Sequence, residues 1–246
     1  MIKRHVSLSL MSALALASQV HAQQVGSPPA EKQATPWSGK AALGYLATSG
    51  NTESSSLNSG FALAYTAGRW AHSLEASAIK ASEDDATSAE AYSVGWKTEF
   101  NMTERDFLFG RVNWRKDRFS AYEQQLSESV GYGRRLIDTG VHFLNVELGA
   151  GARQADLLDG TTEEDFIVRG GVNYQWQFSE TATFTQDINA ESGPGNVYTE
   201  SVSAIKTKLM GDLGLVASYT IKNSSVVPPG SENSDRFTAL SLEYAF

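Results

Sequence analysis

Residues 91–100 read AYSVGWKTEF, in which Tyr92, Val94, Trp96, Thr98 and Phe100 alternate with Ser93, Gly95, Lys97 and Glu99. A period of two puts successive side chains on opposite faces of an extended strand. One face here is apolar and aromatic; the other is glycine, hydroxyl and charge. A buried strand of a soluble protein can carry that contrast, and so can a strand with lipid on one side and a polar lumen on the other.

The alternation recurs along the chain. It groups Trp37, Ala41, Leu43 and Tyr45; Leu57, Phe61, Leu63 and Tyr65; and Trp70, Leu74, Ala76 and Ala78. Val112 and Trp114 oppose Arg111, Asn113 and Arg115, and Leu144, Val146 and Leu148 oppose Asn145 and Glu147. Phe166, Val168, Val172, Tyr174 and Trp176 oppose Arg169, Asn173 and Gln175, while Leu213, Leu215, Ala217, Tyr219 and Ile221 share a phase. The last strand, over 236–246, groups Leu240, Leu242, Tyr244 and Phe246 around Glu243. Three segments fit less well. Glu128 falls in the phase of Leu126, Val130 and Tyr132; residues 182–191 set only Phe184 and Ile188 against Asp187 and Asn189; residues 197–209 are ambiguous. Twelve strands are predicted, and no stretch carries a helical period.

Short connections (66–69, 101–106, 136–140, 179–181 and 210–212) alternate with longer polar ones (48–54, 81–90, 116–124, 154–165, 192–196 and 223–235). Short and long turns alternating over an even number of antiparallel strands is the pattern of periplasmic turns and extracellular loops in outer-membrane barrels. The expectation is therefore an all-β transmembrane antiparallel barrel of twelve strands with periplasmic termini. It places Tyr65, Trp70, Phe100, Tyr132, Trp176, Phe178, Tyr244 and Phe246 near the short turns. Tyr45, Tyr92, Trp114, Phe166, Tyr198 and Tyr219 go toward the long loops, giving two aromatic belts at the two interfaces. The rival is a secreted all-β sandwich or soluble barrel, whose strands also alternate.

Residues 1–22 read as a signal peptide: Lys3, Arg4 and His5, an apolar run over 6–17, and a small-residue cleavage site after Ala22. Residues 23–36 form a polar, Pro-containing leader, and 37–246 the barrel. The apolar run falls short of the roughly 20 residues a spanning helix needs. A formal charge of −8 without Lys/Arg clusters gives no footprint for nucleic acid, and the absence of cysteine removes thiol chemistry and disulfides.

With the aromatic phase toward lipid, Glu75, Lys97, Glu99, Arg111, Arg115, Glu147, Arg153, Arg169, Asp187 and Glu243 point inward. Charges in a narrow lumen favour cross-barrel ion pairs and hydrogen bonds, and they also suit a polar path for small solutes or ions. Arg118, Phe119, Tyr122 and Glu123 combine charge and aromatic surface at a long-loop end, where a partner could bind or the loop could pack over the mouth. The acidic groups Glu83, Asp84, Asp85 and Glu90, and Asp156, Asp159, Glu163, Glu164 and Asp165, match no EF-hand spacing. His72 and His142 share the phase of Trp70 and Leu144, while Ser73 alternates away from His72, so no nucleophile has an adjacent base. No catalytic residue, metal site or cofactor is predicted. The expected surroundings are outer-membrane lipid and the barrel-assembly machinery that inserts such chains, with the protein a monomer.

Residues 46–65 (LATSGNTESSSLNSGFALAY), 68–78 (GRWAHSLEASA), 108–139 (LFGRVNWRKDRFSAYEQQLSESVGYGRRLIDT) and the closing LSLEYAF resemble the YdiY-like family, the likeness covering nearly all of 37–246. Its members carry a domain of unknown function and are described as salt-induced outer-membrane proteins. The resemblance implies outer-membrane residence and a link to osmotic or salt stress, and supplies no catalytic residue. Three readings stay open: a small channel tied to ionic stress, a structural or partner-binding barrel acting through its loops, and a lipid- or envelope-modifying enzyme.

Overall fold

The computed structural model describes residues 36–48, 54–83, 86–118, 122–157, 160–227 and 233–246. The expected signal peptide, residues 23–35 of the leader, Asp84, Asp85, Phe119 and Asp159 lie outside the described residues. Twelve strands run β1 (Trp37–Thr48), β2 (Ser54–Ala67), β3 (Trp70–Glu83), β4 (Ala86–Asn101), β5 (Asp106–Asp117), β6 (Tyr122–Asp138), β7 (His142–Leu157), β8 (Thr162–Trp176), β9 (Ala182–Ser192), β10 (Val197–Met210), β11 (Leu213–Ser224) and β12 (Ser234–Ala245). Each pairs antiparallel with its neighbours in sequence, and β12 returns to β1, closing a barrel. Closure leaves no open sheet edge, the condition for a sheet to cross a bilayer.

Side-chain direction decides between the membrane barrel and its soluble rival. Arg153 and Glu243 are each 1 % exposed, whereas Val130 is 70 % and Phe166 66 % exposed. The charged phase is inside and the apolar phase outside, the reverse of a water-soluble core. The protein is thus an outer-membrane β-barrel of the bacterial cell, its apolar face in lipid.

Three of the short turns need a left-handed residue, met by Gly68 (φ 57°), Gly140 (φ 77°) and Gly211 (φ 56°). Above these turns sits one aromatic belt. Trp37 packs on Tyr65 at 4.6 Å between ring centroids, Trp70 on Phe100 at 4.9 Å, and Trp176 on Phe178 at 5.5 Å. His72 stacks on Trp70 with its Nδ1 3.0 Å from Thr98 Oγ1, and His142 stacks on Trp176.

Two expectations require correction. Much of the sequence expected to form long loops is strand: β3 and β4 leave only residues 84–85 between them, and Tyr122 and Glu123 belong to β6. The strands are 11–17 residues long, against roughly 9–11 needed to cross hydrocarbon. Beyond the membrane a ladder still satisfies the backbone, and its side chains can be polar on both faces. Tyr198, expected in the outer belt, faces inward: it pairs with buried Glu191, and directly paired residues share a face.

Candidate functional site

The lumen is two unlike walls. From β4 to β9 the inward phase carries long charged and aromatic side chains; over β1–β3 it is mostly Ala, Gly and Ser, as at Ala42, Gly60, Ala62 and Ser73. Closure of the sheet sets the two against each other.

Near the short turns, Phe107 and Phe109 are 0 % and 4 % exposed and point inward from β5. They lie over Gly131, Gly133 and Gly149, where an added Cβ would meet a ring carbon. Lys97 sits above both rings, its Nζ 5.4 and 5.5 Å from their centroids. It donates to Glu147 on β7 and lies 2.7 Å from Glu99 Oε1. Arg135 covers Phe107 at 5.1 Å and donates to Asn101 Oδ1 at 2.6 Å. Aromatic faces and carboxylates together hold these cations out of water.

Glu191 on β9 organises the middle of the lumen. It accepts from Arg115 of β5 at 2.7 Å, from Arg169 of β8 at 3.0 Å and from Ser127 of β6 at 3.3 Å. Arg169 also donates to Asn189, and Asn173 donates to Asp187 Oδ1 at 2.6 Å. Across the barrel, Glu243 of β12 accepts from Lys206 of β10 at 2.6 Å and lies 3.9 Å from Lys40 of β1. Glu75 lies in the inward phase of β3, half-buried between Ala62 and Gly95. Arg111 projects inward from β5 between Lys97 and Ser129.

At the long-loop end a small vestibule of about 70 Å³ opens to solvent, lined by Arg115, Tyr122, Tyr198, Glu200, Lys222 and Asp235 among others. Arg115 stacks on Tyr198 at 4.0 Å, and Tyr198 donates its hydroxyl to Glu200 at 2.9 Å. Arg153 bridges Asp165 Oδ2 at 2.8 Å and the Asn196 carbonyl at 3.2 Å.

Of the four loop-end candidates, the three described ones do not come together. Tyr122 is buried and faces the vestibule; Arg118 pairs outside with Glu90 at 3.1 Å; Glu123 is exposed beside Lys116 at 3.6 Å. Among the described acidic residues, Asp156 accepts from Gln124 and Thr162, and Glu164 from Gln154. No group of three His, Asp or Glu among the described residues is placed to hold a metal. Sequence reasoning missed Lys40, Phe107, Arg135, Glu191, Tyr198 and Lys206. Parity could have found Glu191, which shares the phase of Asp187 and Asn189, and Lys40, which opposes Ala41 and Leu43. Nothing local marks Tyr198.

The family described as a protein of unknown function, DUF481, matches residues 41–246. The uncharacterized protein YdiY of Escherichia coli (strain K12) is 34 % identical over 211 residues, covering 85 % of this chain and 83 % of that protein. Among solved structures, the NanC porin aligns with a TM-score of 0.50 at 11 % identity, over 84 % of this chain and 97 % of its own. The KdgM porin in complex with disordered oligogalacturonate aligns with a TM-score of 0.47 at 8 % identity, over 85 % and 99 %. The NanC alignment shows the barrel architecture alone.

Proposed function

This chain belongs to the DUF481 family of unknown function, and we propose that it works as a narrow, charge-lined pore for small ions and hydrophilic solutes across the outer membrane. The observation that carries the reading is Ser77. It points inward from β3, at the level of Ser93 and Arg115, and is nevertheless exposed. Its hydroxyl lies 2.7 Å from Ser93 Oγ, and that bond too is exposed. Water therefore reaches the lumen wall well inside the barrel, beside side chains too small to fill it. The charged wall opposite supplies fixed groups that replace part of an ion's hydration, as pore-lining charges do.

The vestibule collects solute at the mouth, and the cations and carboxylates of β4–β9 set what passes. Residues 1–22 direct export and are removed, the barrel-assembly machinery inserts the rest, and the pore acts as a monomer. The link to salt or osmotic stress rests on the family resemblance. Its measure is the amount of protein in cells moved to high salt, and an unchanged amount would remove that part of the reading.

Purified protein in planar bilayers provides the central test, with a small panel of salts and neutral solutes. Discrete conductance steps are expected; no conductance above a protein-free control would sink the pore.

A further inference from the structure

The lumen's cations are not evenly matched by carboxylates. Lys97 has Glu147 and Glu99, Arg115 and Arg169 share Glu191, Arg153 has Asp165, and Lys40 and Lys206 share Glu243. Arg111 makes no hydrogen bond or ion pair among the described residues, and its Nε is buried without a partner. The Nε of Arg169 is orphaned in the same way. The two guanidiniums lie within electrostatic reach of each other and of Glu147. Arg111 also stands directly across the β4–β5 ladder from Lys97. Of the other inward carboxylates, Asp187 is held by Asn173, and both Asp187 and Glu75 lie within reach of Lys40 on β1.

An orphaned guanidinium in a water-accessible lumen is an incomplete site, since its planar fork matches the paired oxygens of an oxyanion. We propose that Arg111, flanked by Arg169 and Lys97, forms an oxyanion-binding subsite in the lumen, taking small carboxylate-, sulfate- or phosphate-type anions. This rests on the pore reading for its consequence, anion preference in transport, while binding itself does not require conduction. The site sits in a chain of net charge −8, so bulk charge would point to cations. Local pairing decides otherwise, because the carboxylates around Arg111 are already engaged.

The test uses the intact barrel, with sulfate as probe, in two independent measurements. Under a potassium chloride gradient the reversal potential is expected to show anion preference, and added sulfate to reduce the chloride current. Arg111→Gln should weaken that block about tenfold, the loss of one charge-assisted fork. Arg111→Lys should keep the selectivity and lose most of the block. Cation selectivity in the wild type, or an unchanged block in Arg111→Gln, would overturn the subsite. The second measurement is the unfolding temperature in sulfate against chloride at equal ionic strength, with Arg111→Gln correcting for the general effect of sulfate on burial. Extra stabilisation confined to the wild type supports the subsite even where no conductance is found, an outcome that rejects the pore alone. Equal stabilisation of wild type and variant rejects the subsite.

Discussion

At Gly133 a single hydrogen decides whether Phe107 can lie flat inside the barrel. A Cβ there would stand 2.0 Å from Phe107 Cζ, so Gly133→Ala must push the ring from its place beneath Lys97 and Arg135. Overpacking of this kind costs about 1–3 kcal/mol. The variant should unfold at lower urea, and adding Phe107→Leu should recover part of the loss. Glu128 is the opposite case, a residue whose oddity was visible in the sequence. It breaks the apolar phase of its strand, and the structure leaves it exposed on the outer face between Val112 and Ala152 of the adjacent strands. A carboxylate on the lipid face is unfavourable, so Glu128→Leu should stabilise the barrel in a bilayer by about 1 kcal/mol. An unchanged urea midpoint would mean that Glu128 reaches the headgroups.

The barrel's seam is its shortest joint. β1 and β12 are in register over five residue pairs, Lys40↔Ala245 to Gly44↔Ser241, whereas β1 and β2 share twelve. Backbone bonds between Gly39 and Phe246 extend the seam at the short-turn end. Inside, Glu243 ties three strands, with Lys40 and Lys206 on either side. Removing the carboxylate takes the shared partner from buried Lys40 and part-buried Lys206, a loss of about 3–5 kcal/mol for a buried pair. Glu243→Ala should lower the temperature at which the folded form converts to the unfolded band in gel electrophoresis. Replacing Lys40, Lys206 and Glu243 together by apolar residues should be milder. Strand existence was legible because alternation is a local signal. Strand length was not, because the acidic ends of β4, β7 and β8 pair through their backbones and need no apolar face.

For the whole molecule, the pore reading turns on the wall of small residues over β1–β3. Ser77→Trp should place an indole opposite the charged wall and lower unitary conductance while leaving the barrel folded by circular dichroism. Conductance unchanged in that variant would place the ion path elsewhere. Cell fractionation should recover the protein with outer-membrane lipid, and recovery only from the soluble periplasm would contradict the barrel's outward apolar face. The alternation that reads as strands also sorts residues into two faces, because side chains point to opposite sides with a period of two whatever the fold around them. That much the amino-acid order determines alone: twelve strands, two phases, and charge confined largely to one. Which phase lies inside was decided by closure, since only a lumen can take Arg153 and Glu243 inward while Val130 and Phe166 face out. Which charges meet was decided there too. Lys97 finds Glu147 across 50 residues and Arg115 finds Glu191 across 76, by a register and curvature that no local stretch contains. The same curvature turns Tyr198 under Arg115 and leaves Arg111 without a partner among the described residues, because contacts across a lumen depend on every strand between them.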